Sequence, residues 1–565
     1  MRGIDSVATQ ALPVRAAKKN RRDARLRTGL VYALLLLGAL VFSWPLLWMA
    51  FTSVKLDREL FARHLHLLPE APRPQRRSPY VDDRVFEDLE GKRQGELLPV
   101  LTEHFRYLAP TLDPDLNADD LATQLARGAY QHLTEVLPAS QWMVPAGQLK
   151  DEALASLSPA LTAALLAQVK RGLVIGQLRA RSYDLQEDQL IAPVAAAKAW
   201  QVQGSAYGYL LPSPSGDGAQ WHYDFSEGDR IRLVADLQTS FDLARLYRLQ
   251  LSLRSDGSWN RLRAYVEMGG QRFEAARSQA LADGEWSVLT WQRPGPDDLT
   301  NKIRTWTLLR RRGGEALAQG PHALRVVLEL RRVGILGAWW GKISRNYLMV
   351  FDNMPFWRYT ATSVLLVIAN LIGNLLSCSM VAYSFSRLKW PGRALSFNLL
   401  LGTMMIPAQV TLIPFFLIIR HLGWYNTLTP LWVCSFFGNA FNVFLMHQFF
   451  KGIPRDLEDA AKIDGCGPVR TYWHIMMPLI KPTLATVAVF TFMGVWNDFM
   501  GPLIFLSDQR LYPLSLGLYA LNVQAGGSMA MMMAGSMLMI LPVVLLFFFA
   551  QRYFIQGITM TGLKG

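Results

Sequence analysis

The chain has 565 residues, 51% of them hydrophobic and 18% charged, so it is too long for one ordinary domain and uneven enough to hold two unlike parts. Its formal net charge of +14 invites a nucleic-acid reading. The positive residues are instead placed as a membrane protein places them, beside apolar runs, and this sets a nucleic-acid partner aside.

Residues 1–27 carry eight Lys or Arg, among them Lys18, Lys19, Arg21 and Arg22, against Asp5 and Asp23. This basic tail leads into Thr28 to Val54, which is free of charge. A bilayer core needs about 20 helical residues, and a cleaved signal peptide has a shorter apolar centre and a small-residue cleavage site. The run is long and ends in Trp44, Pro45 and Trp48, so it predicts a retained first transmembrane helix over 28–54.

Residues 55–345 are charged and read as an inserted soluble part. Pro69 to Pro79 looks like a linker into it. Residues 84–200 read as mainly helical: Asn117 can cap a run in which Leu121, Leu125 and Tyr130 recur near helical spacing, and Ala153 to Val174 is similar. From about 215 to 335 the period changes to two. Ile231, Leu233 and Ala235 alternate with Arg232 and Val234, and Leu249, Leu251 and Leu253 alternate with Gln250 and Ser252. Leu324 and Val326 begin another alternation. Turn signals fall between the runs at Asp256-Gly257, Gly269-Gly270 and Asp283-Gly284. Short alternating runs at this spacing predict a β-sandwich. Trp221, Tyr223, Trp259, Trp286 and Trp291 are read mainly as its core, with a sugar-stacking surface as the alternative.

Five further apolar runs follow: Tyr359 to Ser386, Ala394 to Ile419 with Pro407 and Pro414, about Leu428 to Phe449, about Pro482 to Leu506, and about Ala530 to Gln551. Lipid offers the backbone no hydrogen-bond partner, so each is expected to be a helix. The expected fold is a polytopic α-helical membrane protein of six spans carrying an inserted α plus β-sandwich domain. Arg387, Lys389 and Arg393, the cluster Lys451, Arg455, Lys462, Arg470 and Lys481, and Arg552 with Lys564 fall on one side of these spans. Both termini are therefore expected in the cytoplasm, and the long insert outside.

Cys378, Cys434 and Cys466 are the cysteines, none in the insert, and no Cys/His spacing suggests a metal site. Met529 to Met533 reads as flexible packing. Gly337 to Lys342 superficially looks like a phosphate loop, but it has one residue too few between its glycines and Ile343 where Ser or Thr is required. No nucleotide site is evident. Asn370, Asn374, Asn439 and Asn442 are polar within spans. Interhelical bonding is the plain reading, and together they point to a hydrophilic solute. Asn439, Asn442, Asn497 and Asp498 are kept as candidate pathway residues; for Asp498 a helix-capping role stands beside the pathway role.

The segment Ile453 to Pro482 lies between two spans on the expected cytoplasmic side. Asp456 to Ile463 can form a helix with an acidic first turn, favourable against the helix dipole. Gly465 and Gly467 then bend the chain, and a second helix over about Val469 to Met476 is expected to end at Pro478. Such a knob can dock into a groove of a soluble partner. The segment resembles the coupling motif of the permease subunits of binding-protein-dependent ABC importers. That motif is Glu-Ala-Ala, three residues, Gly, nine residues, Ile, one residue, Leu-Pro. Here it reads Asp459-Ala460-Ala461, Gly465, Ile475 and Met477-Pro478, with Asp for Glu and Met for Leu.

The resemblance is closer to the MalG-like carbohydrate-type subunits. It covers roughly 28–62 and 344–565, through Thr52-Ser53-Val54-Lys55, Glu59-Leu60-Phe61, Asn346-Tyr347, Met405 to Gln409, Trp496 to Phe499 and Gln551 to Phe554. It implies a type I permease fold and a chain that makes no covalent bond. It also implies that Glu458, Asp459, Ala460, Ala461, Asp464, Gly465, Ile475 and Pro478 couple to the ATPase. The implied partners are a second permease subunit, an ABC ATPase dimer that carries the ATP and Mg, an extracytoplasmic solute-binding protein and the lipid of a bacterial inner membrane. The insert departs from the family pattern, and its expected role is to dock the binding protein, with direct sugar sampling or a structural role as alternatives. A membrane-anchored sensor or adaptor is the competing reading of the whole chain. A secondary transporter fits less, since no convincing internal repeat is seen.

Overall fold

The computed structural model describes residues 14–61, 67–86, 91–138, 140–183, 188–192, 199–213, 216–293, 303–313, 316–318, 320–524 and 526–559. Residues 1–13 of the basic tail, and Lys564 with Gly565, lie outside the described residues. The chain begins with α1 (Val14–Ser53), which takes in the end of the tail and the first apolar run, and a single turn α2 (Asp57–Leu60). Two short strands, β1 (Arg77–Ser78) and β2 (Tyr80–Val81), open the insert.

A helical lobe follows: α3 (Gln94–Leu112), α4 (Ala118–Val136), α5 (Ala146–Ala155) and α6 (Pro159–Val169). Asn117 caps α4 as its sequence position demands, its side chain accepting from the amides of Asp119 and Asp120. Leu97, Leu101, Phe105, Leu121, Leu125, Tyr130 and Leu165 form one core among these helices.

The β-rich lobe begins with β3 (Lys170–Arg171), β4 (Leu173–Ser182), β5 (Gln189–Ala192) and β6 (Trp200–Gly204). It continues with β7 (Tyr207–Pro212), β8 (Ala219–Asp224), β9 (Arg230–Gln238), β10 (Leu246–Arg254), β11 (Arg261–Met268) and β12 (Gln271–Ala275). It closes with β13 (Gln279–Ala280), β14 (Trp286–Gln292), β15 (Thr307–Arg312) and β16 (Ala323–Arg331). The strand order β1-β8-β4-β10-β14-β15-β12-β11-β16-β9-β6 wraps two layers around one core, with β15 pairing parallel to β14 and antiparallel to β12 to join them. The alternation read from the sequence holds here. Ile231, Leu233, Ala235, Leu249, Leu251, Leu253, Leu324 and Val326 all point into that core. Trp221, Tyr223, Trp259 and Trp291 are buried, whereas Trp286 is 43% exposed.

Two boundaries differ from the sequence expectation. The β-rich lobe starts at Lys170, not near 215, so the mainly helical part does not reach 200. Leu173 to Gly176 are covered on both faces and show no alternation to read. The stretch Pro69 to Pro79 is not a free linker either. Gln75 donates its amide to the Ser258 carbonyl at 3.1 Å, and β1 pairs with β8.

The lobes meet at Asp82, which is buried and accepts from Arg84 Nε and Arg171 Nε at 3.1 Å each. Burial pushes this carboxyl up, but Arg84 and Arg171 outweigh burial and hold it below its ordinary value. Its contribution is therefore full above the ordinary carboxylate range and is lost as pH falls through the lowered folded value. Asp82→Asn is expected to lower stability at neutral pH by about 3 kcal/mol, since it strands two guanidinium groups. It is also expected to flatten the acid limb of a thermal-unfolding series; an unchanged acid limb would show that Asp82 does not carry it.

The membrane part resumes with α7 (Ile335–Asn353), α8 (Phe356–Arg387), α9 (Arg393–Thr403), α10 (Ala408–His421) and α11 (Ala440–Gly452). Next come α12 (Asp456–Ile463), α13 (Pro468–Thr471), α14 (Met477–Leu479), α15 (Lys481–Trp496), α16 (Met500–Phe505), α17 (Leu514–Gln524) and α18 (Met529–Thr559). Among the described residues, Arg27–Ser53, Phe356–Arg387 and Met529–Phe549 are single helices long and apolar enough to cross a membrane. The other three expected spans are broken. Pro407 separates α9 from α10, because proline cannot donate and disfavours helix at the residue before it. Gly438, at φ +83, separates two 3-10 turns from α11. The fifth run stops at Asn497 and resumes as α16. Buried side chains of α7, α8, α15, α17 and α18 share one core, including Val350, Tyr359, Trp496, Leu518 and Met531. The α5–α6 pair is apolar as well, but Leu149, Ala153, Leu165 and Val169 are already buried in the helical lobe.

Candidate functional site

Helix α12 opens with Asp456, Glu458 and Asp459, three acids on the positive end of a helix dipole. Its far end closes in a Schellman arrangement. The Gly465 amide donates to Lys462 O at 3.0 Å and the Cys466 amide to Ala461 O at 2.8 Å, with Gly465 at φ +77. That left-handed backbone is the physical reason for glycine there. Pro468 then starts α13, and Tyr472–Met476 form a widened π turn before α14. Pro478 does not end this helix, contrary to expectation. Pro478 stands in the first turn of α14, where a missing N–H costs no helical hydrogen bond, and the run continues to Leu479. A bend of 78° follows before α15.

The knob is seated on the membrane helices by its inner face. Tyr472, Met476 and Ile480 pack with Cys378, Tyr383, Val443, Met446 and Phe450, and Ala461 is buried. Ser379 and Tyr472 share a buried hydroxyl contact of 2.7 Å. Glu458 faces Arg387, the last residue of α8, at 3.3 Å. Arg387 also donates to the carbonyls of Phe450 and Ile453, which close α11. One guanidinium thus ties α8, α11 and α12 together. Sequence reading used Arg387 only as a charge marking the membrane side; its partner is distant in the chain, and no local pattern reveals the pair.

The outer face of the knob is different. Leu457, Ile463, Val469 and Trp473 are exposed, beside the outward Asp459, Ala460 and Asp464. Lys462 donates to Asp459 at 2.8 Å, and this hydrogen bond holds the Asp459 carboxyl below its ordinary value. Ile475 is half-buried and Pro478 exposed.

A second feature lies between α8, α11 and α15. A cavity of about 350 Å³ is lined by Asn374, Asn439, Phe441, Asn442, Phe490, Thr491, Gly494 and Val495. Asn439 caps α11, accepting from the amides of Phe441 and Asn442. The rings of Phe441 and Phe490 stand 6.2 Å apart. Of the four candidate pathway residues, the structure brings Asn439 and Asn442 into this cavity and leaves Asn497 and Asp498 out of its lining. Asn497 donates back to Met493 O, and Asp498 accepts from the Gly501 amide at 3.1 Å as a cap on α16. Asn370 bridges helices through Leu366 O and Leu431 O.

Residues 373–560 match the family described as binding-protein-dependent transport system inner membrane component. The arabinooligosaccharides transport system permease protein of Halalkalibacterium halodurans is 35% identical over 221 residues, which is 39% of this chain and 79% of that protein. This chain belongs to that family. The galactooligosaccharides transport system permease protein of Bacillus subtilis is 33% identical over 38% of this chain and 76% of its own length. The diacetylchitobiose uptake system permease protein of Streptomyces coelicolor is 30% identical, over 37% and 70%. Each relative is matched over most of its own length but over well under half of this chain, so this permease carries a large segment beyond what those relatives share with it.

Proposed function

We propose that this permease is one membrane-spanning half of an ATP-driven importer for a saccharide or related polar solute. The observation that carries the reading is the knob at 453–480: tied to α8 and α11 on one side, apolar and exposed on the other. A separate ABC ATPase dimer holds ATP and Mg and receives the exposed side through Leu457, Ile463, Val469 and Trp473, with Asp459, Ala460 and Asp464 at the rim. ATP-driven closure of that dimer moves the knob. Through Glu458 and Arg387 the motion reaches α8 and α11 and switches access to the cavity between them. The family relationship and the saccharide names of the relatives support the solute class. A second permease subunit completes the pathway, and an extracytoplasmic binding protein delivers the solute. The chain itself makes no covalent bond.

The test is reconstitution of the co-purified assembly in vesicles, with labelled oligosaccharide uptake measured beside ATP hydrolysis. ATP-dependent uptake is expected. An assembly lacking an ATPase, or a chain that purifies with signalling proteins instead, sinks the proposal in favour of the sensor reading.

The orientation has its own check. With Cys434 replaced by serine, a Cys at the exposed Ser226 is expected to react with a membrane-impermeant maleimide in intact spheroplasts, and native Cys466 only after lysis. The reverse pattern places the insert, and not the knob, in the cytoplasm.

A further inference from the structure

The seam that joins the two layers of the β-sandwich is incomplete. β14 pairs with β10 along its whole length, Trp286 to Gln292 against Arg254 to Arg248, but with β15 only at Trp291 and Gln292. β13 pairs with β11 alone. Among the described residues, no strand lies on the other edge of Trp286 to Thr290, nor on the other edge of Gln279 and Ala280.

Register defines the missing piece. β15 runs parallel to β14 with Thr307 beside Trp291, and antiparallel to β12 with Leu309 beside Ala275. Carried backward, both registers seat residues 303–306 between the two free edges, beside Ser287 to Thr290 on one side and Ser278 to Ala280 on the other. The chain leaves the sheet instead. Ile303 packs with Val350, Met354 and Tyr359 in the membrane part. Its amide donates to Gln509 Oε1 at 3.1 Å, and the Arg304 amide donates to Asn353 O at 2.6 Å. A cavity of about 310 Å³ stands in the vacated place, walled by β14, by β11 with β13, and by α7. Ser287 to Thr290 give it a strand length of about 13 Å, at about 3.3 Å per residue.

Natural sheets guard a free edge with charge, proline or a bulge. β14 has no charged residue and no proline, and its pairing with β10 has no register shift. Trp286 and Val288 on it are exposed. The charge of the cavity comes from elsewhere. Arg261, Arg277 and Arg345 line it, and no Asp or Glu does. Arg277 donates to Asp352 at 3.1 Å and Arg345 to Asp283 at 2.6 Å, both carboxylates standing outside the lining. Arg261 has no carboxylate partner among the described residues, and its guanidinium lies beside Gly341 of α7. Three guanidinium groups against two carboxylates leave the slot positive.

We propose that this slot takes an extended acidic segment of a partner protein as an added strand. Alternating N–H and C=O groups on the two edges match a peptide on both its sides at once, a repeat that a saccharide lacks. Acidic side chains on the added strand meet Arg261 and its neighbours in charge-assisted hydrogen bonds. The site belongs to the whole molecule, because Gln509 and Asn353 hold residues 303 and 304 out of the slot. It is independent of the solute carried through the membrane part.

The experiment uses the full chain in nanodiscs of zwitterionic lipid. The probe is a short, end-blocked fluorescent peptide in which glutamate alternates with valine or threonine. The controls are the same peptide with glutamine for glutamate, the same peptide N-methylated at alternate positions, and polygalacturonate as a competitor. The acidic peptide is expected to bind, each control peptide at least tenfold more weakly, and polygalacturonate not to displace it. Amide hydrogen exchange within Trp286 to Thr290 is expected to slow on binding. Arg261→Gln is expected to weaken binding about tenfold with an unchanged unfolding temperature, since it breaks no ion pair. Arg331→Gln, at the exposed cross-strand neighbour of Arg261 outside the lining, is expected to leave binding unchanged. Equal binding of the N-methylated peptide, no slowing of exchange in β14, or no loss from Arg261→Gln overturns the proposal. Displacement by polygalacturonate assigns the slot to a saccharide and overturns it too. So does binding seen only after Asp297→Asn with Asp298→Asn, which assigns the slot to the chain's own segment 294–302, outside the described residues.

Discussion

Gly465→Leu is expected to abolish most solute uptake, by tenfold or more, while the chain still inserts and assembles with its partners. The position has φ +77, and a Cβ there meets nothing within 4 Å, so the cost is conformational and not steric. An L-residue forced into the left-handed region loses about 1–2 kcal/mol, and β- or γ-branched side chains tolerate it least. The chain can escape by opening the turn, at the expense of the hydrogen bonds from Gly465 to Lys462 and from Cys466 to Ala461. Either way, α12 loses its fixed angle to α13, and the exposed Leu457, Ile463, Val469 and Trp473 no longer present one surface. Gly465→Asn is the control, because asparagine accepts the left-handed conformation, and it should keep most uptake. Uptake and ATP hydrolysis measured together in vesicles decide the matter. Normal uptake by correctly assembled Gly465→Leu would show that the turn does not set the coupling geometry.

What could be read in advance follows the range of the interactions. The acidic first turn of α12, the glycine at its end and the cap at Asn117 are settled within a few residues, and each stands in the sequence in plain form. The tie between Glu458 and Arg387 is not, since the two lie on elements that meet only in the folded bundle. Strand alternation was visible where one face meets solvent, as at Arg230 to Leu233, and invisible where both are covered, as at Leu173 to Gly176. Pro407 and Gly438 were equally visible as residues. Hydropathy averaged over a window nevertheless smooths across them and reports one continuous run, whereas the backbone breaks where a donor is missing or φ turns positive. The candidate pathway residues divided for a similar reason. Asn439 and Asn442 follow a helix start that faces a cavity, while Asp498 follows a helix end and spends its carboxylate on the next helix's amide.

The largest effect on stability is expected from Lys342→Met. Lys342 sits on α7, where the sequence around it looks superficially like a phosphate loop; in the fold its side chain is 1% exposed and its ammonium lies 2.5 Å from Glu59, whose side chain is 2% exposed. The same ammonium donates to Glu70 O at 2.6 Å, and the Glu70 amide returns a bond to Glu59 at 3.1 Å. Trp259 of the sandwich covers the ammonium at 5.9 Å. One turn further along α7, Asn346 donates to the carbonyls of Ser53 and Lys55 at 2.8 Å each, closing the end of α1. The root of the insert, the end of the first membrane helix and α7 are thus joined through one buried charge pair between residues 283 apart in sequence. Removing the ammonium alone leaves the buried Glu59 carboxylate without the Lys342 counter-charge, at a cost of about 3–5 kcal/mol. Replacing both, as Lys342→Met with Glu59→Leu, is expected to recover most of that loss, because well-packed apolar groups of similar volume can stand in for a buried pair. Limited proteolysis at the root and thermal unfolding of the purified permease read out both variants. If Lys342→Met is as stable as the parent, the pair is not what holds the insert to the membrane part. If the double variant is no better than the single one, the loss comes from packing around Lys342 and not from the stranded charge.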